Sequence, residues 1–334
     1  GCMRLPLKGE NSEIDEEQTA RMAAYAMAHG VNYFDTAWGY HGGNSESVMG
    51  KILSAYPRDA YHLASKFPGY DLANMPKVQE IFARQLERCQ SEYFDFYLFH
   101  NVCELNIDAY LNEEYGILDH LLKQKEAGRI RHLGFSAHGS IPVMERFLNA
   151  YGEHMEFCQI QLNYLDWSLQ DAKGKVELLN ARHIPIWVME PLRGGKLCTL
   201  DEEAMSELQK LRPQESLSGW AFRFLQSIPG VTMILSGMSD MQQLQENIET
   251  FADEQPLNED EMKILTGIGR RMSTSVPCTA CRYCIEHCPR SLDIPELIRL
   301  YNDMVYSDGS FSARNAVNAL PADKQPSACI GCGH

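Results

Sequence analysis

Short apolar runs and longer amphipathic stretches alternate along the chain almost without interruption up to about residue 252. The apolar runs are Val31–Thr36, Tyr61–Lys66, Phe94–His100, Ile130–Ser136, Phe157–Asn163, Ile184–Glu190 and Thr232–Ser236. They are rich in Val, Ile, Phe, Tyr and Trp, as strands buried on both faces of a parallel sheet should be. Between them, Glu16–His29, Val78–Ser91, Tyr110–Ala127, Pro142–Tyr151, Lys173–Ala181, Ser216–Gln226 and Met241–Phe251 repeat apolar positions at helical spacing. A further strand near Gly1–Arg4 brings the predicted number to eight. Such alternation means parallel βαβ units. Eight of them in about 250 residues fit a closed (β/α)8 TIM barrel better than an open doubly wound sheet. No GxGxxG follows the first strand, as an open dinucleotide-binding sheet would want. A generic α/β sheet of other topology is the competing fold.

From Asp253 the pattern changes. Leu257–Met272 reads as one helix, Val276-Pro277 breaks it, and a cysteine cluster begins. A short helix, Pro295–Tyr306, follows, then a loop rich in Ser, Asp, Gly and Asn. The boundary is placed near residue 253, dividing the chain into a barrel (1–252) and a helical, cysteine-rich segment (253–334).

Hydrophobic and charged shares of 44% and 22% are those of an ordinary globular protein. A formal charge of −15 argues against nucleic acid and against anionic lipid, both of which need clustered Lys and Arg. No apolar run approaches the roughly 20 residues that span a bilayer. The chain opens on Gly1-Cys2-Met3-Arg4 without an initiator Met, so its start reads as cut. Six of the eleven cysteines follow residue 277 at close spacing, which in a chain of this size points to a metal or cluster rather than disulfides. The expected compartment is reducing and cytoplasmic.

In a (β/α)8 barrel the chemistry sits where strands end. The polar residues closing the candidate strands are Asp35, Lys66, His100, Ser136, Asn163, Glu190 and Ser236, and Tyr40 lies five residues beyond Asp35. Taken singly, a Lys or Asp is a solvated charge and a Tyr or His a packing residue. Four at consecutive strand ends suit proton delivery to a carbonyl oxygen. A tyrosine holds its proton too tightly at neutral pH; an ammonium at Lys66 would lower its pKa. Asp35 would keep that ammonium charged, and His100 would steer the oxygen on which negative charge develops.

The stretch Asn32-Tyr33-Phe34-Asp35-Thr36-Ala37-Trp38-Gly39-Tyr40 with Ser45-Glu46 resembles the aldo/keto reductase signature, as do Ala64-Ser65-Lys66, Leu98-Phe99-His100 and Gly134-Phe135-Ser136. The resemblance covers residues 1 to about 252. It implies a catalytic tetrad of Asp35, Tyr40, Lys66 and His100 and a nicotinamide cofactor. It places Ser136, Gln161 and Asn163 near the nicotinamide. Glu190, Pro191, Leu192, Gly194 and Lys196, in the run Met189–Lys196, would lie along the pyrophosphate. Ser236, Gly237, Met238, Ser239, Gln243, Glu246 and Asn247 would meet the adenosine end, and Met3 belongs to the same cofactor set. Many relatives clamp the 2′-phosphate of NADP with a Lys and an Arg where this chain has Gly237 and Gln243. A phosphate without a basic partner binds less well, so NADP, the usual family cofactor, and NAD both stay open. Lys196 and Arg193 are the basic residues at hand.

Cys278-x-x-Cys281-x-x-Cys284-x-x-x-Cys288-Pro289 matches a bacterial ferredoxin run. A second run starts at Cys329-Ile330-Gly331-Cys332 and stops at His334, so the end also reads as cut. The tail resembles a two-cluster [4Fe–4S] ferredoxin module, as iron–sulfur members of the family carry; zinc held by Cys278, Cys281, Cys329 and Cys332 is the alternative. The remaining cysteines pack as small apolar residues. Nicotinamide moves two electrons as hydride and a cluster moves one, and no flavin signature bridges them. The clusters would serve a ferredoxin or another external partner, or be structural. Two functions follow: a carbonyl/alcohol oxidoreductase, or an electron-transfer or redox-sensing protein whose barrel mainly binds nucleotide. Loops after Tyr70, Cys103 and Trp167 would set the substrate, with Trp38, Tyr70 and Trp167 as an apolar wall and His41 within reach.

Overall fold

A computed structural model describes residues 1–9, 13–273, 276, 278, 283–307 and 309–332. Two short strands, β1 (Leu7–Lys8) and β2 (Glu13–Ile14), pair antiparallel near the start. The principal sheet has seven strands: β3 (Tyr33–Asp35), β4 (His62–Phe67), β5 (Phe94–Val102), β6 (Ile130–Ala137), β7 (Cys158–Gln161), β8 (Ile186–Met189) and β9 (Val231–Ile234). They lie in sequential order and every neighbouring pair is parallel. The seven match the seven interior strand predictions, most of them shortened, so that Asn163, Glu190 and Ser236 stand just past the strand ends.

The sheet curls. Tyr33 on β3 touches Trp187 on β8, ring centroids 5.1 Å apart, although four strands separate them in the sheet. Trp187 also packs on Phe96 of β5 at 4.7 Å and stacks on Phe157 at 4.0 Å. Ala64, Leu98 and Met233 complete this plug. It is a packed barrel interior, since side chains of distant strands meet only if the sheet closes on itself.

The predicted first strand at Gly1–Arg4 is a 3-10 turn, Cys2–Arg4. Its polar groups are met by loops and side chains instead of a ladder: the Gly1 amine donates to Ser236 O, the Ser45 hydroxyl to Cys2 O, and Leu5 N–H to His41 Nε2. His41 therefore anchors the N-terminal segment. The predicted helix Tyr110–Ala127 divides into Ile107–Tyr110, a turn at Glu113–Tyr115 and Ile117–Glu126, because Gly116 takes a left-handed φ of 58°. Helices Ser45–Leu53 and Glu202–Leu211 lay outside the sequence reading, and the loop expected after residue 306 contains helix Phe311–Ala319.

Helix Glu259–Met272 begins with a capping box, Asn258 accepting from Glu261 N–H while Glu261 accepts from Asn258 N–H. Its Leu265 and Ile268 belong to the same hydrophobic cluster as the barrel's outer layer. Gly269 lets it approach closely: a Cβ there would stand 2.5 Å from Tyr164 O. Helix Ile294–Tyr306, capped by Asp293, follows the cysteine run. Among the described residues no helix is long and apolar enough to cross a membrane.

Candidate active site

Asp35 closes β3, Lys66 stands one residue from the end of β4, and His100 lies in the last third of β5. Parallel pairing in sequential register brings their side chains to one end of the barrel. Tyr40 comes from a tight turn, Tyr40–Gly43, in which His41 and Gly42 have positive φ. The Lys66 ammonium, 1% exposed, donates to Asp35 Oδ1 at 2.7 Å, Thr36 O at 2.8 Å and Tyr40 OH at 3.2 Å. All three of its protons are committed, so its position is fixed. The His100 ring meets the edges of Tyr40 at 6.2 Å and Tyr70 at 5.3 Å between centroids. The four tetrad positions thus converge as the sequence led one to expect.

The electrostatics depart from expectation at Tyr40. Burial works against the charge of Lys66, yet the Asp35 carboxylate and the Tyr40 oxygen outweigh it and hold Lys66 above its ordinary value. Burial also raises Tyr40, and by more than Lys66 lowers it, so its pKa lies above the usual tyrosine range rather than below. A half-buried phenol with a raised pKa keeps its proton at neutral pH. What Lys66 supplies is a fixed cation beside the oxygen once that proton leaves. Burial, with Lys66 nearby, pushes His100 well below the usual histidine range, so it is neutral. Its Nδ1 is buried without a partner.

Two cavities flank this tetrad. The first, of about 580 Å³, runs from Asp35 and Tyr40 along the loop after β8 to the loop after β9. It takes in eleven of the expected cofactor positions: Met3, Glu190, Pro191, Leu192, Gly194, Ser236, Gly237, Ser239, Gln243, Glu246 and Asn247. The second, of about 670 Å³, lies over Tyr40, Lys66 and His100 and includes Tyr70, Ser136, Gln161 and Lys196. Two expected positions line neither. Asn163 is fully buried and braces the site, donating to Asp166 Oδ2 at 2.7 Å and Glu190 O at 2.9 Å. Met238 packs with Met22, Ala26 and Leu244 beneath helix Met241–Ala252.

The loop after β8 carries four consecutive or near-consecutive positive φ values, at Glu190, Arg193, Gly194 and Gly195. Its two basic residues turn towards the tail. Arg193, buried, bonds Asp166, Asp303 and Ser307, and Lys196 Nζ donates to Tyr306 O at 2.7 Å. Neither therefore replaces the missing 2′-phosphate clamp by a free charge. Arg4, which the sequence reading passed over, lines both cavities. A Cβ on Gly194 would stand 3.0 Å from its guanidinium and one on Gly237 3.1 Å from its side-chain carbons. Gln159 was also missed. It shares a strand face with Gln161 two residues on, lines both cavities, and has a buried Oε1 with no partner. Strand alternation could have found it. The tail's contribution was not legible: Ser307, Ser310, Phe311 and Ser312 wall the second cavity, and His138 meets the Phe311 ring edge-on.

Of the cysteine run, Cys281 lies outside the described residues. Cys278, Cys329 and Cys332 are exposed and Cys284 and Cys288 half-buried. Among the described residues no three ligating side chains gather into a metal group. Cys288 Sγ accepts from Leu292 N–H at 3.4 Å, and that backbone donor draws its thiol below the usual range.

The chain matches the aldo/keto reductase family over residues 1–270, and it belongs to that family. It is 24% identical over 300 residues to the uncharacterized oxidoreductase YqkF of Bacillus subtilis, covering 79% of this chain and 90% of that one. It is 29% identical over 144 residues to probable aldo-keto reductase 1 of Glycine max, a match spanning 40% of that protein. An aldo-keto reductase from Bacillus halodurans in its holo form superposes with a TM-score of 0.65 at 21% identity, covering 79% and 91% of the two chains. One from Klebsiella pneumoniae, in complex with NADP and acetate, gives 0.60 at 19% over 78% and 88%. At such identities the two structures speak for the fold alone.

Proposed function

We propose that this chain is a nicotinamide-dependent carbonyl reductase or alcohol dehydrogenase, and the observation that carries the proposal is the fully committed Lys66 ammonium holding Asp35 and Tyr40 in one buried cluster. A dinucleotide fits the first cavity. The left-handed backbone at Gly194 and Gly195 brings the chain close without side chains, the N-terminus of helix Leu217–Gln226 opens on the cavity through Ser216–Ser218, and Arg4 supplies positive charge. Gln159, with an unmet buried oxygen, and Ser136 suit the carboxamide end. When bound, the cofactor supplies or accepts hydride. NADP is the proposed partner, with Arg4 as the residue nearest to meeting its extra phosphate; Glu246 on the same wall is the counterweight favouring NAD.

Within the second cavity, Tyr40 delivers its proton to the carbonyl oxygen and Lys66 stabilises the phenolate it leaves. Neutral His100 orients that oxygen, and buried Asp35 keeps Lys66 protonated. The apolar share of the wall, from Tyr70, Phe311 and Met189, suits a substrate with an apolar substituent. Tyr40→Phe removes the hydroxyl and keeps the ring, so turnover with a panel of aldehydes should fall at least about a hundredfold while NADPH binding by fluorescence is kept. Activity near wild type in that variant would remove the assignment.

The tail is proposed to carry a [4Fe–4S] cluster on Cys278, Cys281, Cys284 and Cys288, with Cys329 and Cys332 beginning a second ligand set. The supporting observations are the spacing and the N–H donor aimed at Cys288 sulfur, which favours thiolate. Its electron partner would be a ferredoxin-type protein, in a cytoplasmic setting.

A further inference from the structure

A third cavity, of about 250 Å³, lies beside the substrate pocket and shares only His138 and Ser312 with it. It is bounded by the starts of helices Ile141–Tyr151 and Ala172–Ala181 and by the tail helix Ile294–Tyr306. Lys175, on the first turn of the second of these helices, opens into it. The residue is 5% exposed, and among the described residues no hydrogen bond or ion pair reaches its ammonium.

A buried ammonium without a counter-ion is costly. The acidic groups on the cavity wall are already engaged. Asp303 is saturated by Arg193, Gln170 and Ser310. Glu296 takes a two-pronged bond from Arg299. Asp171 caps Gly174 N–H and Glu104 accepts from Ser140 N–H. Glu104 and Asp171 still act on Lys175 from a distance, but burial and the Arg299 charge prevail, and its pKa is lowered to about 8. His138, on the same wall, is held neutral by burial, at about 4. The pocket therefore gathers an ammonium without a hydrogen-bond or ion-pair partner among the described residues, a neutral imidazole and the starts of two helices, of 11 and 10 residues, whose first N–H groups are met in part by Glu104 and Asp171.

We propose that this cavity binds a small oxyanion, a carboxylate or phosphate group, with Lys175 as its counter-charge and His138 at the border with the substrate pocket. Such an anion gives Lys175, which has no hydrogen-bond or ion-pair partner among the described residues, a counter-charge. It arrives either as a free ion or as the distal group of a carbonyl substrate that extends past His138. The site stands whether or not the barrel reduces carbonyls.

Calorimetric titration of the full chain with inorganic phosphate and with acetate, at constant ionic strength, tests it. Saturable heat is expected from wild type, weaker by tenfold or more in Lys175→Met and kept in Lys175→Arg. No saturable heat, or equal binding in Lys175→Met, overturns the site and leaves an adventitious ion only. A readout independent of variant folding is the acetylation rate of Lys175 in wild type, mapped by mass spectrometry: phosphate should slow it, and an unchanged rate counts against the site. The source follows from kinetics. Phosphate that competes with 4-oxobutanoate but not with butanal identifies the anion as the substrate's own group; phosphate that binds and competes with neither identifies a free ion.

Discussion

At the scale of single residues, burial outweighs the neighbouring charge at Tyr40, whereas at Lys66 the neighbouring carboxylate outweighs burial. Tyr40 and Lys66 touch, yet desolvation leaves the phenol above its ordinary pKa. The same force holds His100 and His138 neutral, His138 at about 4. An unfolded histidine protonates near 6.5, so between about 6.5 and 4 the unfolded chain binds more protons than the folded one. Stability present above pH 6.5 is therefore lost as the pH falls. Urea midpoints at pH 7 and pH 5 should show this, and His138→Phe should recover about 1–2 kcal/mol of the loss. An identical fall in the variant would mean that His138 is solvated and protonated in the fold. The depressed carboxylates Glu156 and Glu261 begin to lose their contribution only below about 4.5, beneath the pH 5 of that comparison. The tetrad positions were legible because polar residues at the ends of parallel barrel strands gather at one end of the barrel. Gln159 was open to the same alternation as Gln161, and only the cavities show that it reaches both pockets.

At the scale of elements, the tail helix Ile294–Tyr306 is bolted to the catalytic face through one buried cation. Arg193, from the loop after β8, joins Asp166 of the loop after β7 to Asp303 and Ser307 of the tail, and Asp166 also holds Gln161 and Asn163. Removing one partner of a buried pair leaves the other charge short of compensation, typically at about 3 kcal/mol or more. Asp303→Ala should lower the urea midpoint accordingly, with Asp303→Asn, which keeps hydrogen-bonding atoms, milder. A midpoint unchanged in Asp303→Ala would show the tail to be loosely attached. From the sequence Arg193 is only a basic residue at hand for a phosphate; that its partner comes from 110 residues downstream has no local signature.

At the scale of the whole molecule, a barrel is joined to a cysteine segment that shapes its pocket. Anaerobic reconstitution with iron and sulfide should give a brown protein with about four iron atoms for the complete run, lost in Cys284→Ser; zinc uptake without colour would replace the cluster reading. The sequence by itself determined the alternating strands and helices, the family, the four positions that meet at one end of the barrel and the cysteine spacing, because each rests on periodicity or on residue types at short separation. Tertiary structure decided the rest. It made Gly1–Arg4 a plug beside β9 rather than a strand, brought Arg4 to Gly194 and Gly237, and set Phe311 over the site. It also left Lys175 buried without a partner among the described residues, since solvent exclusion and contacts between distant segments exist only once the chain has closed on itself.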